Sequence, residues 1–68
     1  MKLLNYYLRL SSKEKKAFSK AVQAELGYLR HLAYNRKKPS HALAKRIELA
    51  TNGEVRRDEL RPDIWGNE

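Results

Sequence analysis

The sequence predicts an all-α domain, a compact bundle of four to five short helices that contains a helix-turn-helix. Three observations carry this expectation. Between Lys15 and Tyr34 the apolar residues change helical phase: Phe18 and Val22 stand four apart, Ala24 interrupts, and Leu29 and Leu32 resume on a new register. Two short helices crossing steeply over a shared core require such a break, because each must turn its own stripe toward the same point. Helix-start signals precede the periodic runs at Ser11-Ser12-Lys13-Glu14 and at Pro39-Ser40. Strand-like alternation is missing even around Asn52-Gly53, so that dipeptide reads as a helix stop rather than a hairpin turn.

Taken in order, Leu3, Leu4, Tyr7 and Leu8 share one side of a first short helix. Ser11 and Glu14 form a capping box for a second. Ala17, Phe18, Ala21 and Val22 give that helix its expected buried face, and Lys13, Lys16 and Lys20 recur at i, i+3, i+7 on the opposite one. The third helix spans about Glu25 to Tyr34. On a wheel of about 100° per residue, Leu26, Leu29, Leu32 and Ala33 gather on one side and Gly27, Arg30, His31 and Tyr34 on the other. Ser40 caps a fourth helix with a core stripe of Leu43, Ala44, Ile47 and Ala50, ended by Gly53 in a left-handed conformation. Val55 anchors a short extended piece, and Arg57 to Leu60 form a last turn before Pro62 forbids continuation. Ile64 and Trp65 are expected to fold back on the helices as a lid.

A chain of 68 residues is expected to make one domain over positions 1–68, burying roughly 60% of its unfolded surface. Such a core supplies about 3 to 5 kcal/mol, so a partner or a second copy is a natural source of further stability. The absence of cysteine excludes disulfides and thiolate metal sites and suits a reducing cytoplasm. No apolar run approaches the roughly 20 residues of a membrane span, and Met1-Lys2-Leu3-Leu4 imitates a secretory signal only until Asn5 and Arg9. His31 and His41 lie ten apart without an i, i+4 companion, which argues against zinc. No nucleophile, base and orienting acid fall together, and the glycines are isolated, so neither catalysis nor a cofactor or small-molecule substrate is expected.

The net charge of +7 is divided unevenly. Residues 1–46 hold twelve Lys or Arg against Glu14 and Glu25, a balance of +10, whereas residues 47–68 stand at −3. A basic body points to a polyanion on one face. Exposed Arg30 can pair with guanine, and Gly27 allows close backbone approach to a groove wall. Glu25 either accepts from a cytosine amino group or simply favours the helix dipole. Lys13 opposes that dipole in its own helix, a cost of a few tenths of a kcal/mol up to about 1, which phosphate contact explains. Asn35-Arg36-Lys37-Lys38-Pro39, the densest basic loop, follows the reading helix directly and reads as a phosphate clamp. Tyr6, Tyr7 and Tyr28 read as core or rim aromatics.

The run Ala24 to Ala33 (AELGYLRHLA), then Lys38-Pro39-Ser40, Leu43-Ala44, Ile47-Glu48, Ala50-Thr51 with Gly53-Glu54-Val55, and Leu60-Arg61-Pro62-Asp63-Ile64-Trp65 resemble the Cro-like and YdaS-like helix-turn-helix regulators of phages and prophages. The resemblance covers nearly the whole chain, from Leu3 to Trp65. It implies a lambda-repressor-like all-helical domain that binds operator DNA, usually represses transcription, and often dimerises. It also implies contact positions at Glu25, Leu26, Gly27, Arg30, His31 and Tyr34, of which four coincide with the polar side of the wheel. In that family glycine normally stands in the turn where this chain has Gln23. Either Gln23 accepts a left-handed conformation, at about 1 kcal/mol or more, or the second helix runs on and the turn is reshaped. Leu26 reads as packing first and as a contact to a thymine methyl second.

Two other functions compete. An antitoxin-like module could set the lysine stripe against an acidic protein, but Gly27 beside Arg30 suits a groove better than a flat contact. RNA binding ranks behind both, because the exposed aromatics do not form stacking pairs.

Overall fold

The computed structural model describes residues 1–66; the last two residues of the expected domain lie outside them. Among the described residues there are six helices and no strand: α1 (Leu3–Leu8), α2 (Ser12–Val22), α3 (Leu26–Ala33), α4 (His41–Ala50), α5 (Arg57–Leu60) and α6 (Pro62–Trp65). The all-helical bundle and its helix-turn-helix, α2–turn–α3, are as the apolar pattern requires. Six helices stand where four to five were expected because Pro62 does not merely end α5. Its missing N–H and fixed φ suit the first position of a helix, and it starts α6 there. Ile64 and Trp65 therefore belong to a helical turn, and Trp65 folds back on the bundle as expected, its ring centroid 5.0 Å from that of His41 in α4.

The core gathers Leu3 and Tyr7 of α1, Phe18 and Val22 of α2, Leu29, Leu32 and Ala33 of α3, Leu43 and Ile47 of α4, and Val55. Helix α4 packs on α2 and α5, while α3 packs on α1 and α2. The Cα radius of gyration, 10.9 Å, equals the roughly 11 Å expected of a compact chain of this length.

Four residues expected inside are exposed: Leu8, Ala17, Ala21 and Ala50. The helices are too short and too few to bury a wide stripe, so in α1 and α2 only the i, i+4 pairs Leu3–Tyr7 and Phe18–Val22 reach the centre. Leu8, Ala17 and Ala21 sit one step around from those pairs, and Leu8 is left 56% exposed. Tyr6 compensates in part by packing on Phe18, ring centroids 5.4 Å apart. At the end of α4 the inward place falls to Thr51, seven residues beyond Ala44, not to Ala50. The Thr51 hydroxyl is fully employed: it accepts from the Val55 amide at 3.0 Å and lies 3.2 Å from the Glu48 carbonyl oxygen.

Three helices stop in the same way. At the end of α2 the Gln23 amide donates to the Lys20 carbonyl and the Ala24 amide to Ser19; at the end of α3 Asn35 donates to Leu32 and Arg36 to His31; at the end of α4 Asn52 donates to Leu49 and Gly53 to Glu48. Each is a Schellman stop with a left-handed residue at its centre. Those residues are Gln23 (φ 58°), Asn35 (φ 63°) and Asn52 (φ 55°). Gln23 thus accepts the left-handed conformation and the turn is not reshaped. At the end of α4 the central residue is Asn52, with Gly53 following at φ 84°.

Candidate nucleic-acid interface

Helix α2 begins at the expected capping box. The Ser11 hydroxyl accepts from the Glu14 amide at 3.1 Å, and the Glu14 carboxylate accepts from the Ser11 amide at 2.8 Å. Donation to the carboxylate from the Ser11 amide, and secondarily from the Ser11 side chain, lowers the Glu14 pKa from its ordinary value. Lys13, Lys16 and Lys20 are all exposed along α2. Lys20 lies in the last turn, where the dipole favours it, and Lys13 lies in the first, where Glu14 offsets it.

From Val22 the chain turns through Gln23, Ala24 and Glu25 into α3. Ser19 Oγ donates to the Ala24 carbonyl, and Arg46 Nε of α4 donates to the Val22 carbonyl at 2.8 Å. Glu25 occupies the N-cap of α3 with its side chain making no capping hydrogen bond. The carboxylate projects from the end of the helix rather than serving it.

One polar side of α3 assembles as the wheel requires. Gly27, Arg30, His31 and Tyr34 line a shallow depression, completed by Arg36 from the loop. Glu25 does not line it. Leu26 is half-buried against the core, in keeping with packing as its main role. Gly27 is the second residue of α3, and glycine weakens a helix relative to alanine, by roughly 0.5 to 1 kcal/mol at mid-helix and less in the first turn. Nothing in the fold requires Gly27, because a Cβ built on it meets no atom within 4 Å.

The basic loop is shaped by Asn35, whose left-handed conformation reverses the chain just after α3. Lys37 Nζ lies 5.9 Å from the centre of the Tyr28 ring. At the far end, Arg61 Nη1 donates to the Pro39 carbonyl at 2.8 Å while Nε and Nη2 grip the two Asp63 oxygens at 2.9 and 2.7 Å. Asp63 is held down to about 2, first by the hydrogen bonds from Arg61, with the charge of nearby Lys38 adding to the effect. Sequence reading missed both Arg46 and Arg61 as supports of this face, since each reaches a carbonyl more than twenty residues away.

Ion pairing divides the molecule as the sequence charge does. The described ion pairs are Met1 amine–Glu59, Arg56–Asp58, Arg57–Glu48 and Arg61–Asp63. Among the described residues, none of Lys13, Lys16, Lys20, Arg30, Arg36, Lys37 and Lys38 has an acid within salt-bridge distance, although Lys38 lies near enough to Asp63 to act on it through space. No group of His, Asp or Glu among the described residues could hold a metal, and no described helix is long and apolar enough to cross a membrane.

A small helical bundle with a helix-turn-helix and a body of cations without ion-pair partners defines the class: a compact basic helix-turn-helix domain. Over 60 residues, 88% of this chain and 91% of the relative, it is 35% identical to a protein of Escherichia coli (strain K12) described as a prophage transcriptional regulatory protein. The chain belongs to this family of prophage transcriptional regulators. No family model matches it, and no solved structure does.

Proposed function

We propose that the protein is a sequence-specific regulator that binds double-stranded operator DNA, a Cro-like repressor laying α3 in the major groove. Arg30, His31 and Tyr34, with Glu25 at the helix start, read base edges, and Gly27 brings the backbone close to the groove wall. Lys13, Lys16 and Lys20 of α2 and Asn35, Arg36, Lys37 and Lys38 of the loop hold phosphates and fix the register. A homodimer on a pseudo-palindromic site completes the reading, since a two-fold protein matches two half-sites. The observation that carries it is Gly27: a helix-weakening residue, exposed beside Arg30 and His31, with open space where a side chain would be. A surface serving only solubility has no use for that cost.

The test is selection of bound sequences from a random pool of duplex DNA, followed by a salt titration on the winning site. The expected result is an enriched, two-fold symmetric motif. With on the order of five phosphate contacts per protomer, the affinity should fall with a log–log salt slope of about −4 to −5. Failure to enrich any sequence, or binding insensitive to salt, refutes the assignment.

A further inference from the structure

On the side of α3 away from the turn, a cleft of about 320 Å³ opens between α1, the end of α3, the basic loop and α5. Its apolar lining includes Leu4, Leu32, Ala33, Pro39 and Leu60. The volume is at the small end of cavities that hold organic ligands. Lys2, Lys37 and Glu59 also line the cleft. Glu59 is already neutralised by the amino group of Met1 at 2.9 Å. Among the described residues neither Lys2 nor Lys37 has an acidic partner, and Lys37 is tethered only at the outer range of a cation–π contact. An apolar lining that also includes two lysines without a described acidic partner favours an amphipathic anion over a neutral or cationic apolar molecule.

We infer that this cleft is an effector site for a small free carboxylate with an acyl or aryl body, and that its occupancy weakens DNA binding. The second half of the inference rests on the function proposed above. Tyr34, Asn35 and Lys37 belong both to the cleft and to the face assigned to DNA, so a carboxylate on Lys37 removes a cation from phosphate and blocks the loop from closing on the backbone. By linkage, operator DNA weakens the carboxylate to the same degree.

Octanoate is a suitable probe, titrated into the full chain and followed by amide chemical shifts without DNA, with octan-1-ol and octylamine as neutral and cationic controls. Shifts should cluster at Leu4, Ala33, Asn35 and Leu60 and saturate, with octanoate binding more tightly than either control. Lys2→Gln and Lys37→Gln should each weaken octanoate about two- to fivefold, the worth of an exposed charge pair. Absence of clustered shifts overturns the site, and equal binding of all three probes overturns the anion class. On selected operator DNA, saturating octanoate should lower the affinity about fivefold or more. Lys2→Gln, outside the DNA-contacting set, should bind DNA normally and lose much of that response. Octanoate that binds without altering DNA affinity overturns the effector role, whereas a chain that binds octanoate but no DNA refutes the regulator reading and leaves the cleft standing.

Discussion

Arg46 on α4 donates through Nε to the main-chain oxygen of Val22 at 2.8 Å, where α2 gives way to the turn. A helix leaves its final carbonyls without intrahelical donors, and here the Schellman bonds satisfy Lys20 and Ser19 but not Val22. The guanidinium supplies the donor, and in doing so ties the turn, and with it the start of α3, to a third helix. The next residue, Gln23, holds its left-handed conformation without glycine's freedom.

Removing that donor should loosen the turn. Arg46→Met keeps the length of the side chain and leaves the Val22 oxygen short of a partner, so unfolding free energy should fall by about 1 to 3 kcal/mol, at the lower end because water can reach a half-buried group. Gln23→Gly should act in the opposite sense, relieving about 1 kcal/mol of left-handed strain. Urea denaturation of both single variants and of the double variant measures each effect. An Arg46→Met protein as stable as the parent would show that the contact contributes nothing.

Gly27→Ala separates folding from function. The site is sterically open and needs no positive φ, so alanine should stabilise α3, by less than the roughly 1 kcal/mol of a helix interior because Gly27 lies in the first turn, and raise the melting temperature. On selected operator DNA the same methyl should reduce affinity, because it stands the backbone off the groove wall. A variant that is more stable and binds DNA equally well would remove Gly27 from the interface.

How far these features were legible in the sequence follows from the range of the interaction behind each. The polar side of α3 was readable because helix geometry alone sends Gly27, Arg30, His31 and Tyr34 the same way. The capping box of Ser11 and Glu14 was readable for the same reason, its partners being three residues apart. Arg46–Val22 and Arg61–Pro39 were not, because they join residues 24 and 22 apart and no local spacing marks an arginine as a donor to a distant carbonyl. For Asn35 the sequence shows only a place in the dense basic loop expected to clamp phosphate, whereas its left-handed conformation at the end of α3 depends on where that helix stops. The misplacement of Ala17, Ala21 and Ala50 has another cause. Alanine is compatible with either side of a helix, so periodicity cannot decide its burial when the core is only a few residues wide.

Arg30 and the loop lysines should fail differently. Arg30→Ala should relax base preference at one position and cost about 1 to 3 kcal/mol on the selected site, with little change in salt slope beyond its own charge. Lys38→Gln should weaken matched and random duplexes alike and reduce the slope by about 1. Arg30 also lies in the last turn of α3, where its charge favours the dipole, so Arg30→Ala should also lower helix stability slightly. Comparing matched with random DNA cancels that shared effect. An unchanged preference profile in Arg30→Ala would assign base reading to other residues.

The Arg61–Asp63 pair makes a pH prediction whose direction is set by a lowered carboxylate. Asp63 sits at about 2 in the folded protein against an ordinary value of 3.8. The folded state therefore holds the proton less tightly than the unfolded state. The stabilisation from this group is complete above about pH 4 and disappears as pH falls through 4 toward 2. Glu14, lowered by its capping box, changes in the same sense. Asp63→Asn should accordingly melt below the parent at pH 7, and the gap between the two melting temperatures should close between pH 4 and pH 2 as the parent's carboxylate takes up its proton. Because Arg61 also holds the Pro39 carbonyl, the variant should show faster amide exchange in the 35–39 loop at neutral pH. A gap that persists unchanged at pH 2 would mean that Asp63 acts through its shape and hydrogen bonding, not through its charge.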